Sequence, residues 1–238
     1  TPDFRHPGRH AQVTAVMVTA QAQWSPRLFP LPSMTARPFS IACERNREPI
    51  AIALDPWMAD RRKVLEIGSG TGQHAVFFAQ RWPRLQWQPS DHPDHLAGIE
   101  AWRQEAALAN LAPAFALQAE LPPRVPLEVP SGHAPFDAVF SANTLHIMGW
   151  AHVQALFAGL PPLLDAGALL AVYWPFNYGG AFTSESNAQF DAWLKARDPR
   201  SGIREVEAVQ ALAAQSGFQL LDDLPMPANN RLLVWQLG

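Results

Sequence analysis

Apolar positions along this chain switch between two periods. Ile50, Leu54, Trp57 and Met58 share one helical face, which predicts a helix over 40–58 that Pro49 opens or kinks. Lys63-Val64-Leu65-Glu66-Ile67 is then a short strand-like run, and Ala75, Phe78, Ala79 and Trp82 return to the helical spacing. A second strand over 85–90 leads to a helix in 93–109, with Leu96, Ile99, Trp102 and Ala106 inward. A third strand is expected at 114–119, a proline-rich loop at 122–130, and a fourth strand at 136–141. Val153, Leu156, Phe157 and Leu160 mark the next helix, Leu169 to Trp174 a fifth strand, and Ile203, Val206, Val209 and Ala213 a last helix. Two final strands, 218–221 and 232–237, are joined as a hairpin that turns the last one antiparallel. Strands alternating with helices predict an α/β domain with a mostly parallel sheet. Residues 1–37 are polar, then Pro-rich and without period, so they read as an irregular extension to one domain in 38–238.

The first strand climbs into Gly68-Ser69-Gly70-Thr71-Gly72 and a helix follows at once. Glycines reach backbone angles that other residues adopt only at a cost, and they let a ligand approach the main chain. The helix start adds unpaired N–H groups, a seat for a carboxylate. A phosphate-cradling loop needs a Lys after its last glycine, and none follows Gly72. The dinucleotide fingerprint G-x-G-x-x-G is missed because the third glycine comes one position early and Gln73 takes its place. Asp91 ends the second strand 21 residues after Gly70, where a carboxylate can accept both hydroxyls of a ribose.

Charge and composition narrow the classes. The 238 residues carry a net charge of −3 without a Lys/Arg cluster, which argues against a dedicated nucleic-acid surface. No stretch approaches the roughly 20 apolar residues that cross a bilayer, so neither membrane nor nucleic acid is expected as a partner. The one cysteine, Cys43, suits a reducing, cytoplasmic setting and reads as a small hydrophobe. His92 and His95 lack a third ligand nearby and are expected to cap a helix start, not to hold a metal.

With Glu66-x-Gly68-x-Gly70-x-Gly72 and Asp91 in place, the chain resembles class I S-adenosylmethionine-dependent methyltransferases. Within them it is similar to the methyltransferase-like protein 26 group. The carriers are Arg37-Pro38-Phe39-Ser40, Glu44 to Ile50, Val64 to His74, Trp87 to Asp91, Phe136 to Ile147, Gly180 to Asn187 and Met226 to Asn230. The resemblance implies a Rossmann-like fold, a seven-stranded sheet in order 3-2-1-4-5-7-6 with strand 7 antiparallel. It implies S-adenosylmethionine as cofactor and S-adenosylhomocysteine as product. The cofactor residues it implies are Arg45, Asn46, Glu66, Gly68, Ser69, Gly70, Gly72, His74, Asp91, Gln118, Ala119 and Ser141. One position departs: the group usually shows an Asp where this chain has Gln118, so an adenine contact there would lose its charge.

Methyl transfer needs an aligned nucleophile and, for some acceptors, a base. His146 is the base candidate, Asn143 and Asn177 are amides suited to orienting a small polar acceptor, and Tyr173 lines the pocket. Residues 45–46 and the loop 177–187 are expected to meet above the site as a polar lid, with Arg45 and Glu185 available to pair. Two other functions stay open: a cofactor-binding regulator without turnover, and a nicotinamide-dependent oxidoreductase. The second is disfavoured by the loop spacing and by the lack of a Tyr-x-x-x-Lys relay near strand 5.

Overall fold

The computed structural model describes residues 37–238, so the expected N-terminal extension lies, apart from Arg37, outside the described residues. Helix α1 (Ile41–Met58) is capped by Ser40, whose hydroxyl accepts the Cys43 N–H. Pro49 lies inside α1, and the cluster Glu44 to Glu48 forms its first turns. There follow β1 (Lys63–Ile67), α2 (Gln73–Arg81), β2 (Gln86–Asp91), α3 (Leu96–Ala106), β3 (Phe115–Ala116) and β4 (Phe136–Ala142). The second half holds α4 (Trp150–Gly159), β5 (Leu164–Trp174), β6 (Phe176–Asn177), α5 (Glu185–Arg197), β7 (Arg204–Glu205), α6 (Val206–Gln215), β8 (Phe218–Met226) and β9 (Asn230–Leu237).

Seven strands form one sheet in the order β3-β2-β1-β4-β5-β9-β8, with β9 antiparallel to both neighbours. Because β6 and β7 pair only with each other, this is the expected order 3-2-1-4-5-7-6. Successive strand residues point to opposite faces: Val64 packs with Ile50, Leu54, Phe78, Trp87 and Phe140, and Leu65 with Phe136, Phe157, Trp174 and Trp235. Both faces are thus buried, which explains why the strands read as continuous apolar runs.

Several strands differ from their predicted extents; β5 starts at Leu164 and β9 at Asn230, both earlier than expected. The third is paired only at Phe115–Ala116, because it is an edge strand hemmed by Pro113 and by the prolines beyond 121. β8 runs on through Asp222 and Asp223 past a register shift, since Asp223 finds Arg231 on β9 at 2.7 Å and the Tyr178 hydroxyl at 2.8 Å. The strand order reverses between β1 and β4, which opens a crevice at their carboxyl ends.

Candidate functional site

The glycine loop crosses that crevice and is pinned from below. Gly68 N–H and Ser69 N–H both donate to the Ser90 carbonyl at 3.0 Å, and Gly72 N–H donates to Ser69 O at 2.9 Å. The three glycines serve different ends. A Cβ on Gly68 would stand 2.3 Å from Thr144 Oγ1, and one on Gly72 would stand 2.9 Å from the Ile99 Cα. Gly70, at φ +58°, has nothing within 4 Å of that position, so its missing side chain leaves open space beside the loop.

Asp91 sits beside this loop. Its Oδ2 accepts Gly70 N–H at 2.6 Å, and its Oδ1 accepts His92 N–H at 2.6 Å and His95 Nδ1–H at 2.8 Å. A carboxylate offers about four acceptor directions, so one remains for a ligand. Nothing in the sequence pattern singles out His95 for this contact; its position one helical turn after Asp91 is the only signal. His92 caps the turn at 93–95, its Nδ1 accepting the Asp94 N–H. A cavity of about 720 Å³ opens here, walled by Gly68, Asp91, His95, Gln118, Ala119 and Thr144, with Ile147, His152 and Arg200 at its far side. Gln118 is exposed and Ala119 half-buried on that wall. Another hollow, lined by Asp55, Arg61 and Arg81, lies below the start of β1 and away from the glycine loop.

Helix α1 is sewn to the loop by side chains. Gln73 Oε1 accepts the Ser40 N–H at 2.5 Å and the Thr71 hydroxyl at 3.0 Å, while its Nε2 donates to Glu44 at 2.7 Å. Glu44 also pairs with Arg47 at 2.8 Å. Cys43 is half-buried between Ser40 and Thr71, and burial pushes its thiol up. Glu66 is buried and accepts Trp87 Nε1–H at 2.7 Å. Burial raises its carboxyl from 4.5 to about 7, against the pull of Trp87 and Ser69, and the neighbouring Asp91 adds to the rise. His74 is buried, stacked on Phe78 at 5.4 Å, with Nε2 2.7 Å from Asn46 Oδ1; burial, and next the Arg47 charge, lower its pKa to about 4. Arg45, by contrast, is exposed.

On the β4–β5 side the groups face inward. Ser141 donates to the Ile67 carbonyl at 2.9 Å. Asn143 has φ +54°, a left-handed conformation that Asn tolerates better than most residues, and its N–H donates to the Tyr173 carbonyl at 2.9 Å. Burial pushes the Tyr173 hydroxyl up to about 12, while the Asn46 amide beside it pulls the other way. His146 is packed edge-on to Trp174 and Phe190, with ring centroids at 6.5 and 5.4 Å. Its pKa is lowered to about 4 by burial and then by the Arg204 charge. His146 Nδ1, Trp174 Nε1 and Asn177 Oδ1 are sealed without hydrogen-bond partners. The loop that carries His146 lines the cavity with Thr144, Ile147 and Met148, not with His146 itself.

The segment 177–187 docks on the β8–β9 turn, where Asn187 Nδ2 donates to Asn229 O at 3.3 Å and Ser184 caps α5. Among the described residues, no hydrogen bond joins this segment to α1 and no ion pair joins Arg45 to Glu185. The structure thus gathers the glycines, Glu66, Asp91, Gln118 and Ala119 on one side, and Asn46, His74 and Tyr173 on another. It leaves Arg45, His146 and Asn177 apart from the cavity. No group of three or more His, Cys, Asp or Glu residues that could hold a metal occurs among the described residues. None of their helices is long and apolar enough to cross a membrane.

The arrangement is the fold of the class I methyltransferases. Solved structures with it include mitomycin 7-O-methyltransferase MmcR (16% identity, TM-score 0.71, 83% of this chain and 54% of that one). The S-adenosylmethionine-dependent methyltransferase SibL matches at 18% identity and TM-score 0.67, over 83% of this chain and 56% of the other. A putative O-methyltransferase from Nostoc punctiforme gives 17% and 0.69, over 82% and 56%. The chain spans little more than half the length of these proteins. It belongs to the family described as protein of unknown function DUF938, whose model matches residues 37–237.

Proposed function

We propose that the protein transfers a methyl group from S-adenosylmethionine to a small polar molecule, as a member of the methyltransferase-like protein 26 group. The observation that carries this reading is Asp91 bonded to Gly70 N–H beside a cavity of about 720 Å³. The residues fit an adenosyl ligand. Gly70 leaves room at the loop, Asp91 keeps an acceptor direction for ribose, and Gln118 offers an amide to an adenine edge.

Bound there, the cofactor would supply a sulfonium methyl that is already activated. What remains for the chain is alignment, worth up to about 7–11 kcal/mol in favourable cases, and exclusion of water. Asn143 and Tyr173 stand at the carboxyl ends of β4 and β5, where an acceptor would approach. His146 stays neutral at pH 7, so it is able to take a proton, but its ring is packed among aromatics behind the cavity wall. Asn143 and Tyr173 therefore carry the orienting role, and His146 supports the loop.

Calorimetry with S-adenosylhomocysteine, S-adenosylmethionine and NAD tests the reading. The two adenosyl ligands should bind and raise Tm, since a ligand that prefers the native state stabilises it. NAD stabilisation without any effect of the other two would overturn it. Binding with no methyl transfer to any fraction of a metabolite extract would favour the regulatory alternative.

A further inference from the structure

At the foot of the sheet, opposite the crevice, the fold gathers cations that lie apart in the sequence. A hollow of about 390 Å³ opens where α1 ends, β1 begins and α2 gives way to β2. Arg61, Arg62, Arg81 and Arg84 line it, four of the chain's 18 lysines and arginines, against Asp55 and Asp60. Four positive charges against two negative leave an excess of two, in a chain whose net charge is −3.

Among the described residues, none of these four side chains is spent on a helix-end carbonyl. Arg81 grips Asp55 through Nε and Nη2, at 3.3 and 2.5 Å, and Trp82 Nε1–H donates to the same carboxylate at 2.9 Å. Arg61 Nη1 donates to the Asp137 and Gly167 carbonyls of β4 and β5, at 3.4 and 3.2 Å. Those bonds fix two guanidinium planes, and a guanidinium has five N–H donors, so Arg81 Nη1 and Arg61 Nη2 keep theirs for a ligand. Arg62 comes only within 4.0 Å of Asp137, whose oxygens already accept the Arg62 and Lys63 N–H groups at 2.7 and 2.8 Å. Arg84 is exposed and makes no ion pair or side-chain hydrogen bond among the described residues. Beside the cations the lining is apolar: Trp82, stacked on Phe78 and Trp87 at 5.3 and 5.9 Å, with Met58 and Leu85 buried next to it.

We infer that this hollow is a binding site for a small phosphate monoester, its phosphate among the arginines and its organic body on Trp82 and Pro83. A guanidinium fork meets phosphate oxygens in pairs. A phosphate monoester carries a charge of about −1.5 to −2 at pH 7, which matches the excess of two, whereas a single carboxylate leaves half of it uncompensated. An apolar lining with a few convergent polar groups, in a volume between about 300 and 1,000 Å³, is the form of a small-molecule site. A long polyanion is disfavoured, because the net charge of the chain repels whatever extends beyond the hollow. The site stands apart from the methyltransferase reading and holds whether or not that reading does.

Calorimetry of the full chain with phenyl phosphate tests the site. Saturable binding is expected, with Kd of about 1 mM or tighter, and benzoate, which has the same ring and one charge, should bind at least roughly fivefold more weakly. The double variant Arg62→Ala/Arg84→Ala removes two exposed side chains, so it should keep the wild-type Tm and weaken phenyl phosphate by about tenfold or more. Should the double variant lose Tm, Arg84→Ala alone decides, since that side chain bonds no other group among the described residues. Saturating S-adenosylhomocysteine should leave phenyl phosphate binding unchanged. Absence of saturation, equal affinity for benzoate, unchanged affinity in the arginine variants, or displacement by S-adenosylhomocysteine would each overturn the proposal. So would retention on phosphatidic acid vesicles without binding of phenyl phosphate, which would move the phosphate to a lipid surface.

Discussion

The two halves of the crevice treat their polar groups in opposite ways. On the β1–β2 side each key group is already bonded: Asp91 to Gly70, His92 and His95, Glu66 to Trp87, Gln73 to Ser40 and Glu44. On the β4–β5 side His146 Nδ1, Trp174 Nε1 and Asn177 Oδ1 are buried with no partner. An unsatisfied buried group costs about 1–3 kcal/mol, so the second half is held together by aromatic packing against that cost. The first half is a prepared receptor; the second is a packed wall that turns Thr144, Ile147 and Met148 toward the cavity.

The sharpest break in this comparison should come from the glycines. Gly72→Ala puts a Cβ against the Ile99 backbone at φ +89° and should cost about 2–5 kcal/mol through strain and overpacking. Gly70→Ala meets no atom and should cost only about 1–2 kcal/mol, yet lose S-adenosylhomocysteine binding more than tenfold. Equal losses of Tm in the two variants would show that the loop is not packed as described.

Next in size is the pH dependence. The Glu66 pKa is raised, so its contribution to stability is complete below 4.5 and lost as pH rises through about 7. Those of His74 and His146 are lowered, so their contributions are complete above 6.5 and lost as pH falls towards about 4. Together these groups place maximum stability near pH 7, because the two histidines gain over the range in which Glu66 loses. Urea denaturation should show Glu66→Gln gaining roughly 1–3 kcal/mol at pH 8 and much less at about pH 4.5. An equal gain at both pH values would assign the pH dependence to other groups.

The bonded half was largely legible in the sequence and the packed half was not. Glu66, the three glycines and Asp91 lie within one strand-turn-helix-strand unit, where spacing along the chain translates directly into position. Sheet order was legible only through the resemblance to class I methyltransferases, since spacing along the chain does not say which strands pair. His146 and Asn177 sit in connections beyond β4 and β5, where the direction of a side chain depends on Trp174, Phe190 and Arg204 from other elements. The link from Gln73 to Glu44 joins positions 29 apart with no shared period. The third strand shortened because prolines near an edge outweigh a short apolar run.

Two smaller effects sharpen the contrast. Asp91→Ala should raise the dissociation constant for S-adenosylhomocysteine at least tenfold, since charge-assisted bonds are worth about 1.5–3 kcal/mol each, while Tm falls by a few degrees with the loss of the Gly70 bond. Unchanged affinity in calorimetry would reduce Asp91 to a loop anchor. His146→Phe should change stability by less than about 1 kcal/mol, because it removes an orphaned nitrogen and keeps the aromatic packing. Once an acceptor is in hand, a hundredfold loss of turnover in that variant would restore His146 as the base.

The antiparallel strand inside the sheet also bears on how the molecule assembles. β1 with β2 and β4 with β5 pair across short stretches of chain, whereas β1–β4 and β5–β9 join distant residues, Val64 with Ala138 and Leu169 with Gln236. Closing such long loops comes late in folding, because their entropy is spent before their contacts form. Until then the apolar run Leu169 to Trp174 is an open edge, a template for strands from other copies. β9 therefore acts as a built-in chaperone for β5, and weakening it would show first as aggregation during refolding, well before the crevice itself is disturbed.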